Sequence, residues 1–249
     1  MSSPTDPSPG AVYYGWPTPE ALATLGQFKR VFVQAALYSP DQLAHLRGGG
    51  TRVLAYLSVG EDHPLGDWAC VPGSADYHCG LNPDWGSVVV DAAHPLWQRT
   101  LLERAAAALA HSDGLLLDTL DSAAPQPTLA LVRQLRAAFP EAGLWANRGF
   151  SLWPALPPLL SAAPGGGVLF EAFSTHHAPY ALHDAAGLEY TALWLERLRR
   201  SGLDIQLLDY ADTPALAQAA RERAATFGLP TFVSDRALSL AGGWPQEVL

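Results

Sequence analysis

Carboxylates that could act together stand at the ends of short apolar runs. Asp118, Glu171 and Asp209 each close such a run, and Asp121 follows Asp118 by three positions. A short apolar run of this kind is typical of a buried parallel strand. Because the carboxyl ends of neighbouring parallel strands meet at one edge of a sheet, the runs predict a group of acids at a single site.

The runs that carry these acids belong to a repeating pattern of eight β-prone segments separated by seven helical ones. The pattern shows no change of composition along the chain, so it predicts an α/β fold whose parallel sheet closes into a single-domain (β/α)8 TIM barrel. The eight runs span residues 11–14, 30–34, 53–57, 114–118, 144–147, 167–171, 205–209 and 231–234.

We expect residues 1–10 to form a flexible N-terminal tail and residues 11–249 to form the barrel. The periodicity fails over residues 62–91, which predicts a long loop after the third strand, and the last helix is short or missing. An open doubly wound sheet is the alternative. That fold favours a glycine-rich phosphate loop after the first strand, and the sequence Tyr14-Gly-Trp-Pro17 is not such a loop.

Residues at the carboxyl ends of the predicted strands should line the barrel mouth. Of these we expect Asp118 and Glu171 to be catalytic. Lys29, the single lysine, precedes the second strand and lies at the opposite face, which excludes Schiff-base chemistry. We expect no metal and no cofactor. The positions expected to bind substrate are Tyr14, Tyr56, Ser58, Glu61, Asp121, Asn147, Asp209 and Tyr210.

The charge of the chain limits its partners. The formal net charge is -9, and the only basic cluster is Arg197, Arg199 and Arg200 on one predicted helix, which argues against nucleic acid and anionic membranes as partners. No apolar run is long enough to span a bilayer, and residues 1–10 lack the features of a signal peptide. The oligomeric state stays open.

Two cysteines lie in the irregular segment. Cys70 and Cys79 could close a small disulfide loop in an oxidising compartment, or could both be free. A zinc site formed by these two residues and His78 is disfavoured, because it lacks the tightly paired spacing of structural zinc ligands.

Paired carboxylates without lysine, metal or cofactor indicate glycoside hydrolysis. One carboxyl group protonates the leaving oxygen, and the other attacks the anomeric carbon or activates water. We expect Glu171 to be the acid, because its arm is long and its neighbours Leu169, Phe170 and Phe173 are apolar. Exposed aromatic residues would stack on sugar rings, and the candidates are Tyr14, Trp16, Trp68 and Trp85.

Several of these side chains have a simpler structural interpretation. Asp118 or Asp121 could cap the turn after the fourth strand, and Asp209 could cap the helix that follows it. Asn147 could bind sugar or orient a carboxylate. Trp145, Trp153 and Trp194 fit core or interhelix packing better than ligand contacts.

The sequence resembles the glycoside hydrolase family 114 barrels, the endo-α-1,4-polygalactosaminidase-like group. The family places a catalytic aspartate after the fourth strand and a glutamate after the sixth, so the resemblance implies that Asp118 is the nucleophile and Glu171 the acid/base. The resembling motifs, in family order, are Tyr56–Glu61 with Asp67-Trp68, Gly114–Ser122, Asn147–Gly149, Leu169–Glu171, Leu208–Asp212 and Pro230–Asp235.

The resemblance also implies a substrate and a location. The substrate would be an α-1,4-linked galactosamine polymer, partly N-acetylated, of the kind found in microbial exopolysaccharide. An acidic mouth suits such a cationic polymer. Family members are usually exported, so a secreted or extracytoplasmic protein is expected, with a cytoplasmic one as the alternative. A non-catalytic polysaccharide-binding barrel and a hydrolase of another glycan are the competing functions.

Overall fold

The computed structural model describes residues 10–64 and 70–245. Eight parallel strands form one sheet whose spatial order is the chain order, and β8 returns to β1 so that the barrel is nearly closed. The predicted (β/α)8 barrel is confirmed. The strands are β1 (Ala11–Tyr13), β2 (Arg30–Val33), β3 (Arg52–Ser58), β4 (Gly114–Asp118), β5 (Gly143–Asn147), β6 (Gly167–Glu171), β7 (Asp204–Tyr210) and β8 (Thr231–Ser234).

Helices cover the outside of the barrel. All except α6 begin with proline, whose fixed φ and missing N–H suit the first helical turn. In α6 the start is set by Asp184, which caps the helix by accepting from the Gly187 N–H at 2.8 Å. The helices are α1 (Pro19–Leu25), α2 (Pro40–Gly48), α3 (Pro95–Leu109), α4 (Pro125–Ala138), α5 (Pro157–Leu160), α6 (Ala185–Arg200) and α7 (Pro214–Thr226).

The C-terminal end of the barrel and the lack of a membrane-spanning helix agree with the sequence pattern over the described residues. In the described part of the chain, no helix follows β8, as predicted, and no helix is long and apolar enough to cross a membrane. The predicted tail, residues 1–10, lies outside the described residues except for Gly10. Trp145 is fully buried inside the barrel, where its indole N–H donates to the Gly165 carbonyl at 2.8 Å, so its predicted packing role is confirmed.

The segment after β3 is more ordered than its sequence pattern indicates. Its described residues form a three-stranded antiparallel sheet of Glu61–Asp62, His78–Asn82 and Ser87–Val90. We call residues 61–91 the insertion. A second short hairpin, Thr175–His177 with Tyr180–Leu182, follows β6. Strands of two to five residues are too short to produce a clear period-2 signal, which is why the sequence shows only a long loop here.

Candidate active site

A cavity of about 420 Å³ opens at the carboxyl ends of the strands. Its wall comes from the carboxyl ends of β1 to β7, from the loop after β8 and from the insertion, as expected for a TIM-barrel site. The lining residues are Tyr14, Gln34, Tyr56, Glu61, His63, Asn82, Trp85, Asp118, Thr119, Ser122, Asn147, Leu169, Glu171, Leu208, Tyr210, Arg236, Ala237 and Leu238.

Seven of these side chains form one ring around the cavity. Each stands two positions after a strand residue that packs in the core, and therefore lies directly above that residue. In β4, for example, Leu116 is buried and Asp118 lies above it, and in β6 Leu169 lies below Glu171. Alternate residues of a strand face the same side, so the pattern follows from strand geometry. The ring is Tyr14, Gln34, Tyr56, Asp118, Asn147, Glu171 and Tyr210.

Asn147 joins the two predicted catalytic carboxylates. Its amide nitrogen donates to Asp118 Oδ1 at 2.9 Å and to Glu171 Oε2 at 2.5 Å. These three residues end the adjacent strands β4, β5 and β6. The structure therefore brings Asp118 and Glu171 together and holds them with a shared hydrogen-bond donor.

The chain turns sharply directly after each of these three side chains. Thr119, Arg148 and Ala172 have φ values of 58°, 55° and 53°, in the left-handed region that L-residues seldom adopt. Such residues cost of order 1–3 kcal/mol each and are common at functional sites. The turn after β4 is fixed by the Thr119 hydroxyl, which accepts from the Gly60 N–H at 2.9 Å. Glycine marks only one of these turns, at Gly149 after Arg148, so the sequence does not reveal the other two.

Three tyrosines surround the carboxylates. The Tyr210 hydroxyl donates to Glu171 Oε1, the Tyr56 hydroxyl donates to Asp118, and the Tyr14 ring meets the Tyr56 ring edge-on at 5.2 Å. Burial and the nearby carboxylates raise the pKa of all three phenols well above the usual value. The hydroxyls therefore stay protonated and act as donors at neutral pH.

The surroundings of Asp118 change the pKa of its carboxyl group. Burial, and after it the charge of Glu171, raises the pKa of Asp118 to about 6. Hydrogen bonds from the Thr119 backbone, Asn147 and Tyr56 lower the pKa but do not cancel that increase. Asp118 is thus ionised at pH 7 and above, in a poorly hydrated position.

This raised pKa predicts that Asp118→Asn stabilises the fold. A carboxyl group whose pKa rises from 3.8 to about 6 on folding destabilises the ionised native protein, by up to roughly 3 kcal/mol. The cost is absent below pH 4, grows between pH 4 and 6, and is complete above. We expect Asp118→Asn to raise the free energy of unfolding by about 1–3 kcal/mol at pH 7.5. Denaturant titrations at pH 7.5 and pH 4 test this, because an equal gain at both pH values would contradict it.

The apolar neighbours that suggested Glu171 as the acid lie elsewhere. Phe170 and Phe173 belong to the outer core, where they pack against each other, and Phe150 and Phe227 meet them there. Only Leu169 of the predicted three lines the cavity. The reason is strand alternation, which points Phe170 away from the side chain of Glu171.

Asp209 is a predicted substrate-binding residue that the structure places outside the cavity. Its side chain is fully buried, and it accepts from the backbone N–H groups of Ser174 and Thr175 at 2.5 and 2.9 Å and from the Thr231 hydroxyl at 2.9 Å. Because Leu208 and Tyr210 face the cavity, Asp209 between them must face outward. It anchors the loop after β6.

Asp121 and Ser58 also have structural partners instead of cavity positions. Asp121 caps the turn after β5 by accepting from the N–H groups of Gly149 and Ser151 at 3.1 and 2.8 Å. Ser58 is buried and donates to the Glu61 carbonyl at 2.7 Å, which fixes the start of the insertion. Glu61 does line the cavity, where it accepts from Asn82 Nδ2 at 3.1 Å and from Ser87.

The aromatic residues expected to stack on sugar rings also lie partly at the cavity and partly outside it. Trp85 lines the cavity, whereas Trp16 is 69% exposed in the loop after β1, outside the cavity lining. Trp68 lies outside the described residues. Trp194 stacks on Phe150 at 4.1 Å and meets Trp153 edge-on, which confirms their predicted packing role.

Six polar cavity residues escaped the sequence prediction. Gln34 carried a usable signal, because it stands two positions after the buried Phe32, as Tyr14 does after Val12. The others lie in loops or in the insertion and gave no signal. They are His63, Asn82, Thr119, Ser122 and Arg236.

A group of possible metal ligands lies at the base of the insertion, but its hydrogen bonds do not fit a metal. Ligand atoms of Asp62, Cys70 and His78 lie within 4.8 Å of one another. His78 Nδ1 accepts from the Gly73 N–H at 3.1 Å, so in the neutral ring Nε2 carries the proton that points at Asp62. A metal-bound histidine needs the opposite arrangement. Arg104 already pairs with Asp62 at 2.9 Å, and both cysteines are free.

Comparisons with known proteins identify the family. No family model and no curated protein matches the sequence. The glycoside hydrolase domain of PelA from Pseudomonas aeruginosa is 31% identical, has a TM-score of 0.79, and aligns over 94% of this chain and 97% of that chain. Ega3 from Aspergillus fumigatus, solved with galactosamine, has 14% identity, a TM-score of 0.68 and 96% coverage of both chains.

A more distant structure supports the fold alone. The α-galactosidase TtGalA from Thermus thermophilus has 18% identity and a TM-score of 0.55, with coverage of 90% of this chain and 57% of that chain. Similarity to PelA along nearly the whole of both chains agrees with the predicted resemblance. The chain belongs to the glycoside hydrolase family 114-like barrels and is a hydrolase of glycosidic bonds.

Proposed function

We propose that this protein cleaves an exopolysaccharide of α-1,4-linked galactosamine and N-acetylgalactosamine, with Asp118 as nucleophile and Glu171 as acid/base. The observation that carries the proposal is the pairing of the two carboxylates through Asn147 Nδ2 at 2.9 and 2.5 Å. Because both accepting oxygens bond to the same nitrogen, they lie at most about 5.4 Å apart. This bound supports the retaining mechanism, whose carboxyl groups are roughly 5–5.5 Å apart, over the inverting one at roughly 6.5–9.5 Å.

The reaction follows from these positions. Glu171 gives its proton to the glycosidic oxygen while an Asp118 oxygen attacks the anomeric carbon, so the C–O bond to the leaving sugar breaks and a glycosyl ester forms. Water then attacks the same carbon, Glu171 takes its proton, and Asp118 leaves as a carboxylate. The poor hydration of Asp118 favours attack, and the Asn147 and Tyr56 donors keep its reacting oxygens oriented.

The choice of polymer rests on charge and on the relatives. Asp118, Glu171 and Glu61 give the cavity three carboxyl groups against one arginine, Arg236, which favours a neutral or cationic sugar chain. Ega3 binds galactosamine in its solved structure. A polymer substrate outside the cell also fits our proposal that the protein is secreted or extracytoplasmic.

Product analysis tests the function. We expect wild-type protein to release short oligomers from partly deacetylated α-1,4-galactosaminogalactan, detected by mass spectrometry, and we expect none from Asp118→Asn or Glu171→Gln. If folded wild-type protein releases nothing, this polymer is not the substrate. Binding of the polymer without any products would favour the non-catalytic binding barrel, and cleavage of a different glycan would favour the alternative hydrolase.

A further inference from the structure

The tip of the insertion reaches across the barrel mouth. We define the tip as the turn of residues 83–86, and it contacts the loops that follow β6 and β8. In the eight-strand ring, β3 is three positions away from β6 and three from β8. A segment that starts at β3 and touches both loops must therefore lie over the mouth instead of along its rim.

One arginine holds the tip in this position. Arg236 Nη2 donates to the Asp84 carbonyl at 2.8 Å, and its guanidinium lies 4.6 Å from the centre of the Trp85 ring. The other neighbour is His177, whose ring meets the Trp85 ring edge-on at 5.3 Å. The Arg236 backbone is itself fixed, since its N–H donates to the Tyr180 hydroxyl at 2.8 Å.

The base of the insertion is held much more firmly than the tip. Asp62 is nearly inaccessible and binds Arg104 at 2.9 Å, the Tyr77 hydroxyl at 2.9 Å and His78 at 3.1 Å. Trp85 at the tip is 43% exposed. Because the base is held firmly and the tip only lightly, the tip can move away without unfolding the insertion. We call the contacts of Arg236 with Asp84 and Trp85 the latch.

We propose that Trp85 and Arg236 form a strap that covers the catalytic cleft and controls how polysaccharide enters it. Because the strap runs from β3 to the loops after β6 and β8, the ring positions of Tyr14 and Gln34 lie on one side of it and those of Asp118 and Asn147 on the other, so the covered cleft is a passage beneath the strap. A chain end threads through such a passage, whereas an internal stretch of chain enters only when the strap opens. The strength of the latch thus sets the balance between cleavage within the polysaccharide chain and cleavage at its ends. This inference rests on the proposed function.

Hydrogen exchange tests the latch without any substrate. We expect the amide of Trp85, whose N–H donates to the Asn82 carbonyl at 3.4 Å, to exchange at least fivefold faster in Arg236→Ala than in the wild type, with unchanged exchange in the barrel strands. Arg197→Ala is the matched control, because Arg197 makes a similar contact with Trp194 at 4.8 Å on the exposed surface of α6. Equal tip exchange in the wild type and Arg236→Ala would show that the strap is not held closed, and would overturn the proposal.

Cleavage mode tests the consequence. For the same three proteins acting on partly deacetylated α-1,4-galactosaminogalactan, the fall in viscosity is measured per reducing end released, which is independent of the overall rate. We expect this ratio to rise at least threefold in Arg236→Ala and to be unchanged in Arg197→Ala. A ratio unchanged in Arg236→Ala, with faster tip exchange, overturns entry control. If the wild type releases no reducing ends, the proposed substrate fails, and exchange alone decides whether the latch exists.

Discussion

We expect azide to restore cleavage of an activated α-galactosaminyl fluoride to both Asp118→Ala and Glu171→Ala, with opposite anomeric products. Without azide we expect each variant to lose about a thousandfold or more of its polymer-cleaving activity. In Asp118→Ala, azide fills the space of the missing carboxylate and attacks the anomeric carbon once, so the glycosyl azide has the β configuration. In Glu171→Ala, Asp118 attacks first and azide displaces it from the opposite face, so the product is the α-azide.

The products are distinguished by NMR of the anomeric proton. Asp121→Ala is the matched control, because Asp121 is a nearby carboxylate that bonds to backbone N–H groups outside the cavity. It should keep most of its activity and form no azide adduct. A β-azide from Glu171→Ala with an α-azide from Asp118→Ala would reverse the two roles, and the absence of any adduct in both would contradict a covalent intermediate.

Replacement of Asn147 gives the second-largest effect we expect. Asn147→Ala removes the donor shared by Asp118 and Glu171 and should lower kcat about a hundredfold at pH 7, a loss typical of a misplaced or mistuned reacting group. Because this hydrogen bond lowers the pKa of Asp118, its loss raises that pKa above the value of about 6. The acid limb of kcat/KM, which reports ionisation of Asp118 in the free enzyme, therefore moves to higher pH.

A pH–rate profile separates this electrostatic role from simple loss of packing. In the wild type, kcat/KM should fall tenfold per pH unit below about 6. Asn147→Asp keeps the shape of the side chain but adds a third carboxylate, so its acid limb should move further upward than that of Asn147→Ala. A limb that stays near pH 6 in both variants would show that Asn147 only fills space.

The left-handed turns explain why the reacting groups are held so closely. Thr119, Arg148 and Ala172 each turn the chain away immediately after Asp118, Asn147 and Glu171, so these three side chains end their strands at the same level of the barrel. The strained turns and the desolvation of Asp118 both lower the stability of the fold. The packing of the rest of the barrel core offsets this loss. Gains in stability on mutating this site are thus expected together with losses in activity.

The sequence alone determined the barrel, its eight strands and the two paired carboxylates. This was possible because short continuous apolar runs are typical of buried parallel strands, and because a parallel barrel necessarily brings their carboxyl ends together. Asp118, Asn147 and Glu171 could therefore be named from their positions at the ends of runs. The same alternation also predicts that Gln34 faces the cavity and that Asp209 faces outward. The face of each side chain follows from the residues one or two positions before it.

Only the tertiary structure decided the surroundings of the carboxylates. The contacts of Arg236 with Asp84 and Trp85 join residues about 150 positions apart, and no local pattern encodes them. The raised pKa of Asp118 depends on how deeply it is buried and on the distance to Glu171, which are properties of packed side chains. Local periodicity specifies which face of a strand a residue occupies, whereas the partners it meets there depend on how distant segments pack together.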